Sequence, residues 1–142
     1  MEATMTERYT LPENAGARRA GKAVWTGRIL TGFAGLFMVF DAGVKLLQLK
    51  VAIEGSATSG YPATTVFGIG VIAMICTIVY VIPRTAPLGA ILWTGYLGGA
   101  VASNVRVENP LFNSVFPIIF AAILWTGLWL RDARVRALLG AQ

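Results

Sequence analysis

The sequence ATTVFGIGVIAMICTIVYVI occupies residues 63–82 and contains no charged side chain. After PRT at residues 83–85, the run APLGAILWTGYLGGAVAS extends to residue 103, again without a charge. Each run is about as long as a helix that crosses a hydrocarbon core of roughly 30 Å. Because Pro83 disfavours helical geometry in the residue before it, the two runs predict a hairpin of membrane spans.

Two more apolar segments flank this hairpin. Residues 24–49 are long enough to cross a membrane, although Asp41 and Lys45 interrupt them. Residues 111–130 carry no charge and follow Pro110, and proline is favourable at the first turn of a helix. We therefore predict an all-α fold, a four-transmembrane-helix bundle in residues 23–131 with spans at about 24–49, 63–82, 86–103 and 111–130.

The charged residues predict how the bundle is oriented, because basic residues near span ends favour the cytoplasmic side. Of the 12 lysine and arginine residues, only Lys50 and Arg106 fall on the side opposite the termini, and Lys45 lies within a span. Both termini should therefore be cytoplasmic, in the cell membrane of a bacterium (its inner membrane). We expect residues 1–22, with few apolar side chains, to form a mobile tail and residues 132–142 a short basic one.

Composition narrows the classes of function. The chain is 56% hydrophobic and 13% charged, whereas charged residues approach a quarter of a soluble domain. The net charge of +5 follows the predicted topology, so anionic membrane lipids are expected as partners and nucleic acid is not. The sequence has no histidine, which removes a common metal ligand. It has one cysteine, Cys76, so no internal dithiol can form. We predict no metal site, assign no catalytic residue and do not expect an independent catalyst.

Asp41 and Lys45 are the most informative polar pair. Their i,i+4 spacing places them on one helix face, and charges in hydrocarbon are costly unless they are paired or face a polar interior. Gln48 continues the same stripe one turn later. Polar residues of the predicted outer loops fall at the same level, which suggests a ligand-binding pocket open to the outer face. Its candidate residues are Asp41, Lys45, Tyr61, Asn104 and Arg106, and the alternative is an ion pair that only locks the bundle.

Small residues in the third span predict helix packing. Gly95 and Gly99 have the GxxxG spacing that lets helix backbones approach closely in lipid. We expect them to place this span at the centre of the bundle, with a contact between two copies of the chain as the alternative. Trp93 and Tyr96 are assigned to core packing rather than to the pocket.

Four segments together resemble the DoxX-like family of small four-span membrane proteins. They are FDAGVKLL at residues 40–47, SGYP at 59–62, VYVIPRTAPLGAIL at 79–92 and TGYLGGAVASNVRVENPLF at 94–112. The resemblance extends from about Thr26 to Leu139. It implies a four-helix membrane bundle and, because the wider group is named after a subunit associated with thiosulfate:quinone oxidoreductase, a quinone ligand and a membrane redox partner.

The chain departs from the family pattern at two positions that bear on proton transfer. Ala73 stands where the family commonly has a glutamate, and Asn104 stands where it has a histidine near the end of the third span. Asp41 is then the only acid inside a span. Three functions stay open: an accessory or small-ligand-binding membrane component, a subunit of a quinone-linked membrane oxidoreductase, and a transporter component that works as a homo-oligomer.

Overall fold

A computed structural model describes residues 13–140 of the chain. Within this range the fold is all-α, as predicted, and the described residues form no strand. The helices are α1 (Glu13–Leu46), α2 (Lys50–Thr58), α3 (Ala63–Val81), α4 (Ala86–Arg106), α5 (Leu111–Arg131) and α6 (Ala133–Leu138).

Three of these helices are long and apolar enough to cross a membrane, namely α1 from Gly16 onwards, α3 and α5. The remaining predicted span, α4, is 21 residues long, as is α5, but it is less apolar than α5. Its glycines, together with Ser103 and Asn104, explain the lower hydropathy. Length and composition alone therefore identify three spans where the sequence pattern predicted four.

The helix bounds agree best where the sequence has no charge. Helices α3 and α5 each end within one residue of the prediction, whereas α4 continues past residue 103 to Arg106. Helix α1 begins at Glu13, inside the segment predicted to be a mobile tail. Alanine, arginine and lysine are strong helix formers, which accounts for the helical residues 13–22. The remainder of the predicted tail, residues 1–12, lies outside the described residues.

The segment between α1 and α3 contains a helix that the sequence pattern missed. Helix α1 ends at Leu46, and Gln48 has a backbone φ of 50°, so Gln48 does not continue the polar face of α1 as expected. Helix α2 then buries Ala52 and Ser56, which lie one turn apart on one face. Its other residues are mostly exposed, so the apolar signal of α2 is too short to distinguish it from a loop.

The four long helices form a ring. Helix α1 packs against α3 and α5, and α4 packs against the same two helices, which leaves α1 and α4 diagonally opposite each other. The third predicted span is therefore one wall of the bundle and not its centre. The buried core includes Met38 from α1, Tyr80 from α3, Trp93 from α4 and Leu124 from α5.

The closest helix contacts occur at glycines other than the predicted pair. A Cβ atom at Gly89 would lie 2.3 Å from Tyr80 Cα, and one at Gly27 would lie 2.8 Å from the carbonyl oxygen of Gly127. A Cβ atom at Gly95 or Gly99 would have no such neighbour within 4 Å. The expectation that Gly95 and Gly99 mediate packing within the chain is therefore wrong, and Gly27, Gly70, Gly89 and Gly127 have that role.

The C-terminal end of the bundle is held by charged side chains. Asp132 caps α6 by accepting a hydrogen bond from the backbone nitrogen of Arg134 at 2.9 Å. Arg134 Nη2 also donates to the Pro83 carbonyl at 2.7 Å, which ties the α3–α4 turn to α6. The side-chain hydrogen bond from Arg134 holds the pKa of Asp132 below its ordinary value, although partial burial opposes this shift.

Replacement of Gly89 should destabilise the bundle, whereas replacement of Gly95 should not. Gly89→Ala places a methyl group against the Tyr80 backbone and should cost about 1–3 kcal/mol through overpacking. Gly95→Ala meets open space and should stabilise the helix by roughly 0.5–1 kcal/mol. Reversible unfolding in detergent measures both, and equal stability of Gly89→Ala and the parent protein would contradict the packing described here.

Asp132→Ala should loosen α6 without unfolding the bundle. Loss of an N-cap typically costs about 0.5–2 kcal/mol, so the amides of residues 133–138 should exchange with solvent faster. Because the pKa of Asp132 is lowered in the folded protein, its stabilising effect should be complete above the ordinary carboxyl pKa of about 3.9 and be lost as the pH falls through the lower folded value. Hydrogen exchange between pH 5 and pH 7 that shows no difference between the two proteins would contradict this assignment.

Candidate functional site

A cavity of about 720 Å³ lies in the half of the bundle distant from the α3–α4 turn. Its walls come from the C-terminal halves of α1 and α4, the N-terminal halves of α3 and α5, and the short helix α2. Most of the wall is apolar, with phenylalanine rings from α1 and α5. The cavity therefore occupies the space between the diagonally opposite helices.

One polar network stands on this largely apolar wall. Lys45 Nζ donates to Asp41 Oδ2 at 2.5 Å, and the two side chains are 15% and 27% exposed. The hydroxyl of Tyr96 accepts a hydrogen bond from Lys45 Nζ at 3.0 Å and donates one to Asp41 Oδ2 at 3.3 Å. As predicted, Asp41 and Lys45 face inward and pair, and Tyr96 links their helix, α1, to α4 across the bundle.

Tyr96 and Trp93 pack in the core, as predicted, but they also line the cavity, which the sequence analysis did not assign to them. Their rings meet edge to face with centroids 4.8 Å apart, and both side chains line the cavity. Trp93 is 2% exposed, and its Nε1 has no hydrogen-bond acceptor among the residues that the structure describes. A buried tyrosine hydroxyl needs a polar partner, and the charges of Asp41 and Lys45 are the signal that could have identified Tyr96.

Asn104 connects three segments at the wall of the cavity. Its Oδ1 accepts hydrogen bonds from Ser59 Oγ at 3.1 Å and from Asn109 Nδ2 at 2.8 Å. Its Nδ2 donates to the carbonyls of Ala100 at 2.9 Å and Asn113 at 3.1 Å. Because both polar atoms have two partners within the chain, Asn104 joins α4 to the segments before α3 and around the start of α5.

Tyr61 also lines the cavity and is fixed by a hydrogen bond to α4. Its hydroxyl lies 2.5 Å from Ser103 Oγ. Ser103 directs its own hydroxyl hydrogen to the Gly99 carbonyl at 2.8 Å. Since a serine hydroxyl has only one hydrogen, Tyr61 is the donor in its contact with Ser103.

Arg106 is the one predicted site residue that does not line the cavity. It is exposed, and its Nη2 would lie 3.1 Å from a Cβ atom at Gly60, which has a φ of 83°. Because α4 extends to Arg106, both Asn104 and Arg106 are helical. Arg106 follows Asn104 by two residues, or about 200° of helical rotation, so its side chain points away from the direction of Asn104. The structure thus brings Asp41, Lys45, Tyr61 and Asn104 together and leaves Arg106 outside.

The family comparison agrees with the resemblance in the sequence. A sequence model of the DoxX-like family matches residues 29–127. The chain belongs to the DoxX-like family. The match begins in α1 and ends in α5, so every cavity-lining residue of this DoxX-like protein lies within it. Comparisons with curated proteins and with solved structures found no match.

A double-mutant cycle should reveal the coupling of Asp41 and Lys45. Asp41→Asn or Lys45→Leu alone leaves one charge without its partner, which costs about 3–5 kcal/mol in a fully buried pair. Because both side chains retain some exposure, we expect a smaller loss of about 1–3 kcal/mol for each single change. The double variant should lose less than the sum of the two, and additive losses in detergent unfolding would contradict the pairing.

Proposed function

We propose that this DoxX-like protein is a four-span membrane protein that binds a small amphipathic molecule in the cavity of its bundle. Its termini are cytoplasmic and the cavity lies in the outer half of the membrane. It acts as an accessory component and not as an independent catalyst. The observation that carries the proposal is a cavity of about 720 Å³ with one concentrated polar network on an otherwise mostly apolar wall.

The assignment of α4 as the fourth span is supported by its length and its outer surface. At about 1.5 Å per residue, its 21 residues extend over roughly 31 Å, close to the thickness of a hydrocarbon core. Its outward face carries the exposed apolar side chains of Leu88, Ile91 and Leu92. Since the turn from α3 is short, an α4 that runs back across the membrane keeps these side chains in lipid.

The orientation is supported by the basic residues at one end of the bundle. Arg84 in the α3–α4 turn and Arg134 and Arg136 in α6 lie at the end opposite the cavity. Such residues favour the cytoplasmic side and attract anionic lipids. The cavity then faces the outer leaflet, at the level of the predicted outer loops.

The size and chemistry of the cavity favour an amphipathic ligand. Small-molecule sites typically enclose about 300–1,000 Å³ and combine apolar walls with a few polar groups. The side chains of Phe37, Phe116 and Phe120 provide the apolar wall. The ring centroid of Phe37 lies 5.9 Å from that of Phe116 and 4.8 Å from that of Phe120, across the α1–α5 seam. A flat apolar ligand could pack against this aromatic surface.

The polar network has bonding capacity left for a head group. An ammonium group has three hydrogens, and Lys45 uses two of them on Asp41 and Tyr96. Asp41 accepts from Lys45 and from Tyr96 through Oδ2, so within the described residues its Oδ1 remains available as an acceptor. A quinone carbonyl would accept from Lys45, and the hydroxyl of the reduced form would in addition donate to Asp41.

A quinone is therefore the first ligand to test, and a membrane redox partner would be the protein that uses it. The cavity forms within one chain, so binding requires neither a partner nor a homo-oligomer. Asp41 is the single acid inside a predicted span, and it is paired with Lys45. We therefore expect the site to bind a ligand and not to catalyse its conversion. The alternative role as a subunit of a quinone-linked oxidoreductase uses the same site and adds the partner.

Native mass spectrometry of the gently solubilised protein tests the proposal. We expect a quinone or another defined amphipathic molecule to copurify with the parent protein and to be lost in Asp41→Asn/Lys45→Leu. The matched control is Lys50→Leu/Glu54→Gln, because Lys50 and Glu54 form an exposed i,i+4 pair on α2 that does not line the cavity. The control should retain the molecule.

Two outcomes would count against a ligand site. One is retention of the same molecule by a folded Asp41→Asn/Lys45→Leu variant, which would place the molecule elsewhere. The other is the presence of only exchangeable phospholipid in all three proteins, which would identify Asp41 and Lys45 as a structural pair.

A further inference from the structure

The seam between α3 and α4 has an opening at the level of the polar network. Gly95 and Gly99 line the cavity and are exposed, and Gly95 lies about 200° around α4 from the buried Trp93, toward the outside of the bundle. Ile72 on α3 has the same two properties and is 55% exposed. Residues that border the cavity and the outer surface at once mark a place where the cavity wall is incomplete. We call the opening bordered by Ile72, Gly95 and Gly99 the lateral portal.

The absence of side chains creates this opening. A Cβ atom at Gly95 or Gly99 would have no heavy atom of a neighbouring element within 4 Å. Nearer the turn, the same seam is closed, because a Cβ atom at Gly89 would lie 2.3 Å from Tyr80 Cα. The glycines of α4 thus close the hairpin at one end and leave it open at the other.

The opposite side of the cavity is walled by aromatic rings. Across the α1–α5 seam, the ring of Phe37 lies 5.9 Å from that of Phe116 and 4.8 Å from that of Phe120, measured between centroids. Ring contacts thus cover the α1–α5 seam, whereas no such contact among the described residues covers the α3–α4 seam at Gly95 and Gly99. Phe37 and Phe116 are also exposed, so a route on this side would have to displace aromatic rings, whereas the lateral portal is bordered by two glycines.

Trp93 lies in the cavity wall beside the polar network. The Nε1 of Trp93 is buried and has no acceptor within the described part of the chain, although the side chain lines the cavity. The Nε1 atom has almost no accessible surface and so does not itself open into the cavity, which leaves Lys45, Asp41 and Tyr96 as the polar groups that a ligand would meet. Trp93 contacts Tyr96, which is adjacent to Gly95 in sequence, so this donor and the polar network lie beside the portal.

We infer that the ligand is a lipid with a compact oxygen-bearing head and a hydrocarbon tail, and that it enters from the bilayer through the lateral portal. This inference rests on the proposed function and specifies its ligand. The head lies at Lys45 and Tyr96, while the tail passes between Gly95, Gly99 and Ile72 into the membrane. The tail never leaves apolar surroundings, which makes entry from the side easier than entry through water.

Side chains added at the portal should distinguish a tailed ligand from a free head group. The variant is Gly95→Leu/Gly99→Leu, and the matched control is Gly98→Leu, because Gly98 is exposed, has no neighbour within 4 Å and does not line the cavity. The probes are 2,3-dimethoxy-5-methyl-1,4-benzoquinone with a decyl tail and the same quinone without a tail. Binding is followed in lipid nanodiscs by quenching of tryptophan fluorescence, to which Trp93 contributes.

The tailed probe should bind about tenfold more weakly or more slowly to Gly95→Leu/Gly99→Leu, whereas the tail-less probe and the Gly98→Leu control should change by less than about twofold. Gly95→Ala/Gly99→Ala should give an intermediate effect and remains informative if the leucine variant does not fold. Unchanged binding of the tailed probe to folded portal variants would overturn the portal alone. Equal loss of both probes would also overturn it, because the added side chains would then be filling the head-group site. If neither probe binds the parent protein, the proposed function with a quinone head and the inference both fail.

Discussion

The requirement that a charge inside an apolar bundle must have a partner governs this structure. Lys45 and Asp41 satisfy it for each other on one face of α1, and Tyr96 extends the pair to α4. Because α1 and α4 are diagonal in the ring of helices, this link crosses the interior instead of a packed seam. The space beside the link is the cavity, so the groups that neutralise the charges are also the polar groups that a ligand would meet.

The two ends of the bundle are built differently. At the end near the α3–α4 turn, Gly27, Gly89 and Gly127 permit close helix contacts, and Arg134 ties the turn to the C-terminal helix. At the other end, the hydrogen bonds of Asn104 and Tyr61 fasten the connecting segments around an open interior. Glycine therefore has opposite roles along α4, because Gly89 packs against α3 whereas Gly95 and Gly99 have no close neighbour in the part of the chain that the structure describes.

The sequence predicted those features that depend on local pattern. Charge-free apolar runs fixed α3 and α5 to within one residue, and the i,i+4 spacing identified Asp41 and Lys45 as an inward-facing pair. It did not predict whether a glycine meets a neighbouring helix or an empty space, which depends on how the helices are arranged. The role of Tyr96 and the outward direction of Arg106 depend on this arrangement too. Helix α2 was missed because its apolar face is only one turn long.

We propose that the Asp41–Lys45–Tyr96 network is the polar wall of an occupied ligand site. The most direct test is a crystal structure of the protein grown in a lipidic phase, without prior delipidation. We expect non-protein density in the cavity, with an oxygen atom within hydrogen-bond distance of Lys45 Nζ, Asp41 Oδ1 or the Tyr96 hydroxyl. A cavity that is filled by the protein's own side chains, or an ion pair sealed from the cavity, would contradict it.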